Sequence, residues 1–281
     1  MIVPTFARGP PPPPDGAPRN HSAGLPRIGQ SGPFFFRDKR GSPRQSSAMF
    51  RLTHDGEVAR LTLDRPEARN AIPAAGWGEL AALLGGVEGR LLVVAGAGGA
   101  FCAGADLGDF AALRADEGAR IRFRKTMRAA LDALRALPMP TLARIDGPCY
   151  GAGVALALAC DLRVAGPDAR FAITPAKIGV SYPQEDVHRL VALVGPGEAA
   201  RLLFTAESID AAEAIRIGLA ELAELDEAAI LANDAASLAA LKQAIALAGA
   251  GVRSDPRQDE RFDALIGGGE LARRLEALRR K

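Results

Sequence analysis

Short apolar runs closed by glycine or proline dominate the first half of this chain, and helical spacing dominates the second. Residues 50–52 and 58–63 flank His54-Asp55-Gly56-Glu57, and Ala59, Leu61 and Leu63 alternate with Arg60 and Thr62. That period of two, turned by Asp-Gly, predicts a β-hairpin, which Pro66 stops. A helix is expected over residues 73–84, capped by Asn70, with Trp77, Leu80, Leu83 and Leu84 on its apolar side and Gly85-Gly86 at its end. Residues 91–95 are apolar throughout, as in a strand covered on both faces. Ile121, Met127, Leu131 and Leu134 recur at helical spacing through residues 117–137, with Arg120, Arg122, Arg124 and Arg128 on the wet side.

Residues 141–145 read as a strand. Asp146-Gly147 and the turn Gly151-Ala152-Gly153 follow, then small apolar residues at helical density as far as Cys160-Asp161. Residues 162–165 and 171–173 are two more short strands. Helices are expected at 186–193, 196–203 and 211–217, broken by Gly195 and Gly218. One Ala-rich helix is expected at 228–248, with Leu231, Leu238, Leu241 and Ile245 on one side, and two short helices at 259–266 and 270–280. Strands alternating with helices, then helices alone, predict an α/β core with a helical C-terminal region.

Composition changes this picture at the N-terminus. Residues 1–48 hold ten of the twenty prolines, with seven Lys/Arg against two Asp/Glu. Such a segment buries too little apolar surface to offset its ordering entropy, and is expected to be a disordered Pro/Arg-rich extension. It is either a genuine basic tail or an upstream addition before Met49. The formal net charge of +2 therefore leaves −3 on residues 49–281, which argues against nucleic acid as the main partner. Cys102, Cys149 and Cys160 lack metal-ligand spacing and sit among small apolar residues. They suggest buried thiols, a reducing cytoplasm and no metal. No apolar run is long enough to span a bilayer.

Two glycine-bearing turns carry the candidate chemistry: Phe101-Cys102-Ala103-Gly104-Ala105-Asp106-Leu107 and Gly151-Ala152-Gly153. Both follow apolar strands, and both are small enough to let a ligand approach the backbone. If the strands are neighbours, the amides of Ala103 and Ala152 converge on one oxygen and form an oxyanion hole. Two ordinary tight turns are the plainer alternative. No third glycine arrives at the offset of a dinucleotide fingerprint.

With these motifs, residues 50–281 resemble the crotonase superfamily, the enoyl-CoA hydratase/isomerase family. The likeness rests on Leu63-Asp64-Arg65-Pro66-Glu67-Ala68-Arg69-Asn70-Ala71, the block at Phe101, Asp146-Gly147 leading to Gly151-Ala152-Gly153, Cys160-Asp161, and Ile209-Asp210-Ala211 through Gly218-Leu219. It implies a ββα superhelix core over residues 49–220, a helical trimerisation region over 221–281, and homotrimers or homohexamers. It also implies an acyl-CoA thioester as substrate, with coenzyme A carried on the substrate and no other cofactor. The family's oxyanion donors fall on Ala103 and Ala152. Its adenine-side contacts fall around Ala68, Arg69 and Ala71, and Ala103, Gly104, Ala105 and Asp106 line the thioester.

The chain departs from the family where hydratases carry two glutamates: Ala155 and Pro175 stand there. Ordinary hydration is therefore disfavoured. Thr174-Pro175 and Gly179-Val180-Ser181-Tyr182 are similar to the methylmalonyl-CoA decarboxylase branch, which implies that Tyr182 helps hold a departing carboxylate; that branch has histidine in place of Ala105. The alternative for Tyr182 is a wall residue bonded to backbone. Glu185, Asp186 and His188 are weaker candidates, the two acids suiting an exposed helix start. Asp106 and Asp161 are expected to brace their own loops. A non-catalytic acyl-CoA-binding subunit of the same fold is the alternative function.

Overall fold

The computed structural model describes residues 35–37, 43–46 and 49–280. Two short strands, β1 (Phe35–Arg37) and β2 (Pro43–Ser46), precede β3 (Phe50–Asp55) and β4 (Val58–Leu63). The chain continues through α1 (Gly76–Leu84), β5 (Leu91–Gly96), α2 (Phe110–Ala115), α3 (Glu117–Ala136), β6 (Thr141–Ile145), β7 (Pro148–Tyr150) and α4 (Ala152–Ala159). Then come β8 (Leu162–Ala165), β9 (Arg170–Ala172), α5 (Gln184–Thr205), β10 (Ile209–Asp210), α6 (Ala211–Arg216), α7 (Glu227–Leu231), α8 (Ala235–Gly249), α9 (Pro256–Ile266) and α10 (Gly269–Arg279).

One sheet runs in the order β1-β2-β3-β4-β5-β6-β8, and a second in the order β10-β9-β7. The expected hairpin pairs Phe50 with Leu63 and Asp55 with Val58; from β4 to β8 the pairing is parallel. Val58, Leu91, Val93, Leu142 and Val164 make a buried cluster of their own. A larger core gathers Leu61, Leu63, Leu92 and Val94 with Trp77 and Leu80 of α1 and Met127, Leu131 and Leu134 of α3. Helices therefore cover one face of central strands that are apolar on both.

Several elements differ from expectation. Within the stretch expected to be disordered, β1 and β2 pair onto the open edge of β3, which offers unpaired backbone groups to any adjacent extended segment; the remainder of that stretch lies outside the described residues. Asn70 caps nothing. It is wholly buried, and α1 begins only at Gly76. Ile121 is exposed, because the buried stripe of α3 starts at Met127. The Ala-rich helix is two helices: Asp234 accepts hydrogen bonds from the amide and hydroxyl of Ser237 and caps α8 afresh. Gly195, at φ 76°, breaks the helical path of α5 as anticipated.

Candidate active site

Three chain segments meet at the carboxyl ends of β5 and β6. Residues 65–72 form a tight loop: a 3-10 turn over Pro66–Ala68, then Arg69 and Asn70 in the left-handed region at φ 49° and 58°. Asparagine is among the few residues that occupy that region at low cost. Its side chain accepts from the Arg65 amide at 2.9 Å and donates to the carbonyls of Ala97 and Ala100 at 2.8 and 2.7 Å. The loop is thereby tied to the turn after β5.

That loop in turn holds the second segment, residues 102–106. Ala103 donates to Arg69 O at 2.9 Å, Ile72 to Gly104 O at 2.8 Å, and Asp106 to Ile72 O at 2.9 Å. Arg65 donates to Asp106 at 2.5 Å and to Ala71 O at 3.1 Å. The Arg65 guanidinium, followed by the Gly108 amide at 2.9 Å, holds the Asp106 carboxyl below the usual carboxylate range. Asp106 thus braces its turn as expected and also anchors Arg65.

The third segment is the start of α4. Cys102 donates to Pro148 O at 3.0 Å and Tyr150 donates back to Cys102 O at 2.8 Å, so the two turns join as a parallel bridge. Gly104 has φ 109°, and a β-carbon there would lie 3.0 Å from Tyr150 O and 3.5 Å from Ala152 N. A β-carbon on Gly153 would lie 2.5 Å from Cys102 O. Only glycine permits this approach.

The structure therefore brings Ala68, Arg69, Ala71, Ala103, Gly104, Ala105, Asp106 and Ala152 together, but it redistributes their amides. The Ala103 amide, expected as a donor to substrate, is committed to Arg69 O. In the same turn the half-buried Ala105 has no amide partner among the described residues, and neither has Ala152. Ala152 opens α4, where first-turn N–H groups lie beyond the reach of intrahelical bonding. At the other end of α4, the buried Arg163 donates to Cys160 O at 3.0 Å and to Leu219 O at 2.9 Å, and pairs with Glu221. A cation there complements the helix dipole, whose positive end faces the Ala105 turn.

Comparison with known proteins fits this arrangement. The model of the enoyl-CoA hydratase/isomerase family matches residues 53–260. This chain belongs to that family. Its crotonase-type fold and acyl-CoA substrate class follow from membership. The "Probable enoyl-CoA hydratase echA6" of Mycobacterium tuberculosis is 39% identical over 199 residues, which cover 69% of this chain and 78% of the relative. The short-chain-enoyl-CoA hydratase of Clostridium acetobutylicum is 36% identical over 175 residues, covering 60% and 66%. A solved enoyl-CoA hydratase/isomerase family protein from Hyphomonas neptunium superposes with a TM-score of 0.76 at 34% identity, covering 82% of this chain and 94% of that one.

Two further positions bear on this enoyl-CoA hydratase/isomerase site. Ala155 is buried inside α4, and Pro175 opens a 3-10 turn over Pro175–Ile178. Neither residue carries a titrating group. The half-buried Tyr182 donates its hydroxyl proton to Gly151 O at 3.0 Å, the backbone bond expected of the wall-residue alternative. Burial first, and then the nearby Asp186 charge, raises its phenol well above the ordinary value. Asp186, read from sequence as an exposed helix start, is wholly buried. Glu185 and His188 face outward, beside a cavity of about 510 Å³ also lined by Arg135 and Arg189. Asp161 accepts from the amide and hydroxyl of Thr141 and pairs with Lys242 at 2.8 Å, bracing its loop. Asn70, Asp186 and the amide of Ala105 are the residues that sequence reasoning misplaced. Helix-capping chemistry hid the first, the helix-start position the second, and no sequence pattern reports which way an amide points.

Proposed function

We propose that this chain binds an acyl-CoA thioester with its carbonyl oxygen against the amides of Ala105 and Ala152, and stabilises the enolate that forms there. The donor expected at Ala103 moves two residues on. The observation that carries this reading is a pair of unpartnered amides on two turns packed backbone against backbone, one of them at the N-terminus of an apolar helix. Fixed donors aimed at developing charge in a water-poor site stabilise a transition state; losing one typically costs ~10²–10³ in rate. Ala68, Arg69 and Ala71 border the adenine side in this reading, and no cofactor besides the substrate's own coenzyme A is called for.

The reaction we favour starts without a protein base. General acid–base catalysis is worth ~10²–10⁴, and Ala155 and Pro175 cannot supply it. Loss of an α-carboxylate fits: the bond from the α-carbon to the carboxylate breaks, CO₂ leaves, and the electron pair moves into the thioester as an enolate. A proton from solvent then reaches the α-carbon. Assembly into three or six copies through the C-terminal helices belongs to the same reading, since Leu241, Ile245, Phe262 and Ile266 are exposed there. Three buried free thiols suit a reducing cytoplasm.

The test runs methylmalonyl-CoA, ethylmalonyl-CoA and crotonyl-CoA in parallel on the purified protein. Release of CO₂ from the malonyl thioesters, with slow hydration of crotonyl-CoA, is expected. Brisk hydration of crotonyl-CoA overturns the favoured chemistry, and thioester binding without turnover of any of the three points to a binding subunit. Acetoacetyl-CoA reports separately on the amides, because its enolate absorbs in the near ultraviolet. No enolate band on binding refutes the oxyanion pair.

A further inference from the structure

Asp186 sits in the first turn of α5 with no exposed surface. Its Oδ1 accepts from Arg128 of α3 at 3.0 Å and lies 3.5 Å from Arg189 of its own helix. Arg128 also donates to Asp132 at 3.1 Å, and Arg189 donates to the same Asp132 oxygen at 3.0 Å. Two guanidiniums and two carboxylates thus close a ring that ties α3 to the start of α5. Asp186 Oδ2, Arg128 Nη2 and Arg189 Nη1 are buried without a hydrogen-bond partner. Asp132 is exposed, but Asp186, Arg128 and Arg189 are largely buried, and a buried ionic cluster is a poor device for stability, since well-packed apolar residues of the same volume are often equal or better. Its distinguishing property is direction: a guanidinium–carboxylate contact fixes an angle that an apolar contact leaves free to slide.

What the ring fixes leads to the site. The amides of Asp186 and Val187 both donate to Pro183 O at 3.0 Å, so the turn that carries Asp186 also holds the residue after Tyr182. The Tyr182 hydroxyl reaches Gly151 O at 3.0 Å, and Gly151 immediately precedes the free amide of Ala152. The same carbonyl accepts from Val154 at 2.9 Å and Ala155 at 3.2 Å, so it is the first acceptor of α4.

We infer that Asp186, paired with Arg128 across the contact of α3 with α5, is a positioning residue that sets the Ala152 amide through Tyr182 and Gly151. This rests on the reading of Ala152 as a donor to the thioester oxygen. The path is continuous in bonds, and each step of it is short.

The test uses the full-length protein and acetoacetyl-CoA, with D186N, Y182F, the double variant D186N/Y182F and the apolar double variant D186L/R128L. D186N and Y182F each lower the bound-enolate absorbance about tenfold, the scale expected of a sub-ångström displacement of a donor. Affinity for coenzyme A stays within about twofold, because the adenine side is not on the path. D186N/Y182F is no worse than the weaker single variant, since both cut one chain of contacts. D186L/R128L covers the case in which D186N fails to fold. It folds with no unpaired buried charge and still shows the weakened enolate band. A wild-type band in D186L/R128L, or additive losses in D186N/Y182F, overturns the inference. The unsubstituted protein separates the two levels: if it shows the band and the Asp186 variants keep theirs, only the positioning role fails; if it shows no band, the oxyanion reading itself fails.

Discussion

Replacing Gly153 by alanine is the sharpest perturbation of the site that adds no charge and removes no hydrogen bond. The backbone there is helical, so in isolation Gly→Ala would stabilise α4 by about 1 kcal/mol. The new methyl, however, would stand 2.5 Å from Cys102 O and 2.9 Å from Cys102 Cβ, where ordinary contact begins at 3.4 Å. The neighbour is backbone, and it is pinned at both ends by Cys102 N to Pro148 O and Tyr150 N to Cys102 O. The two turns must therefore separate by roughly 0.9 Å, the gap between 2.5 and 3.4 Å. Overpacking of this size costs roughly 1–3 kcal/mol, so the net stability loss is about 0–2 kcal/mol and the protein folds. The catalytic effect is larger, because a misplacement near 1 Å can cost ~10² in rate. Urea unfolding measures the first quantity; kcat on the best thioester and the acetoacetyl-CoA enolate band measure the second. G249A, at a helix end with nothing within 4 Å, is the control: it should leave kcat and the enolate band unchanged and raise stability by up to about 1 kcal/mol. A folded G153A protein with wild-type kcat and a wild-type enolate band would refute the claim that contact between these turns sets the amide geometry.

Three other expectations follow from the same coordinates. N70A strands the buried carbonyl of Ala100 and the half-buried one of Ala97 and forces alanine to φ 58°; unfolding free energy should fall by about 3 kcal/mol, with enolate stabilisation lost alongside it in the fraction that folds. Asp106 titrates below its ordinary value of 3.8 because Arg65 and the Gly108 amide favour the charged form. Its contribution to stability is therefore complete above 3.8 and is lost as pH falls through the lower folded value. D106N should flatten that part of the acid limb in a pH series of unfolding curves. Burial pushes the thiols of Cys102 and Cys160 up to about 12 and raises Cys149 as well. Iodoacetamide near pH 8 should label none of them in the native protein and all three in denaturant, as mass spectrometry would read directly.

Local pattern alone carried the elements of the core. Alternation at Ala59, Leu61 and Leu63, the continuous apolar run at Leu91, and the small-residue density after Gly153 each marked burial on the faces where the structure has it. Even the two glycine turns were legible, because small residues after buried strands have few other uses. What escaped was whatever depends on partners far along the chain. Asn70 looks like a cap in sequence, yet its partners are Ala97 and Ala100. Asp186 looks like an exposed helix start until Arg128, fifty-eight residues earlier, closes over it. Ala103 and Ala105 are indistinguishable as letters. The carbonyl of Arg69 occupies one amide and leaves the other free, and hydrogen-bond direction is a property of the assembled backbone. Sequence thus determined which segments are apolar enough to bury and tight enough to turn. Only the packing of three such turns against one another decided which N–H groups remain available.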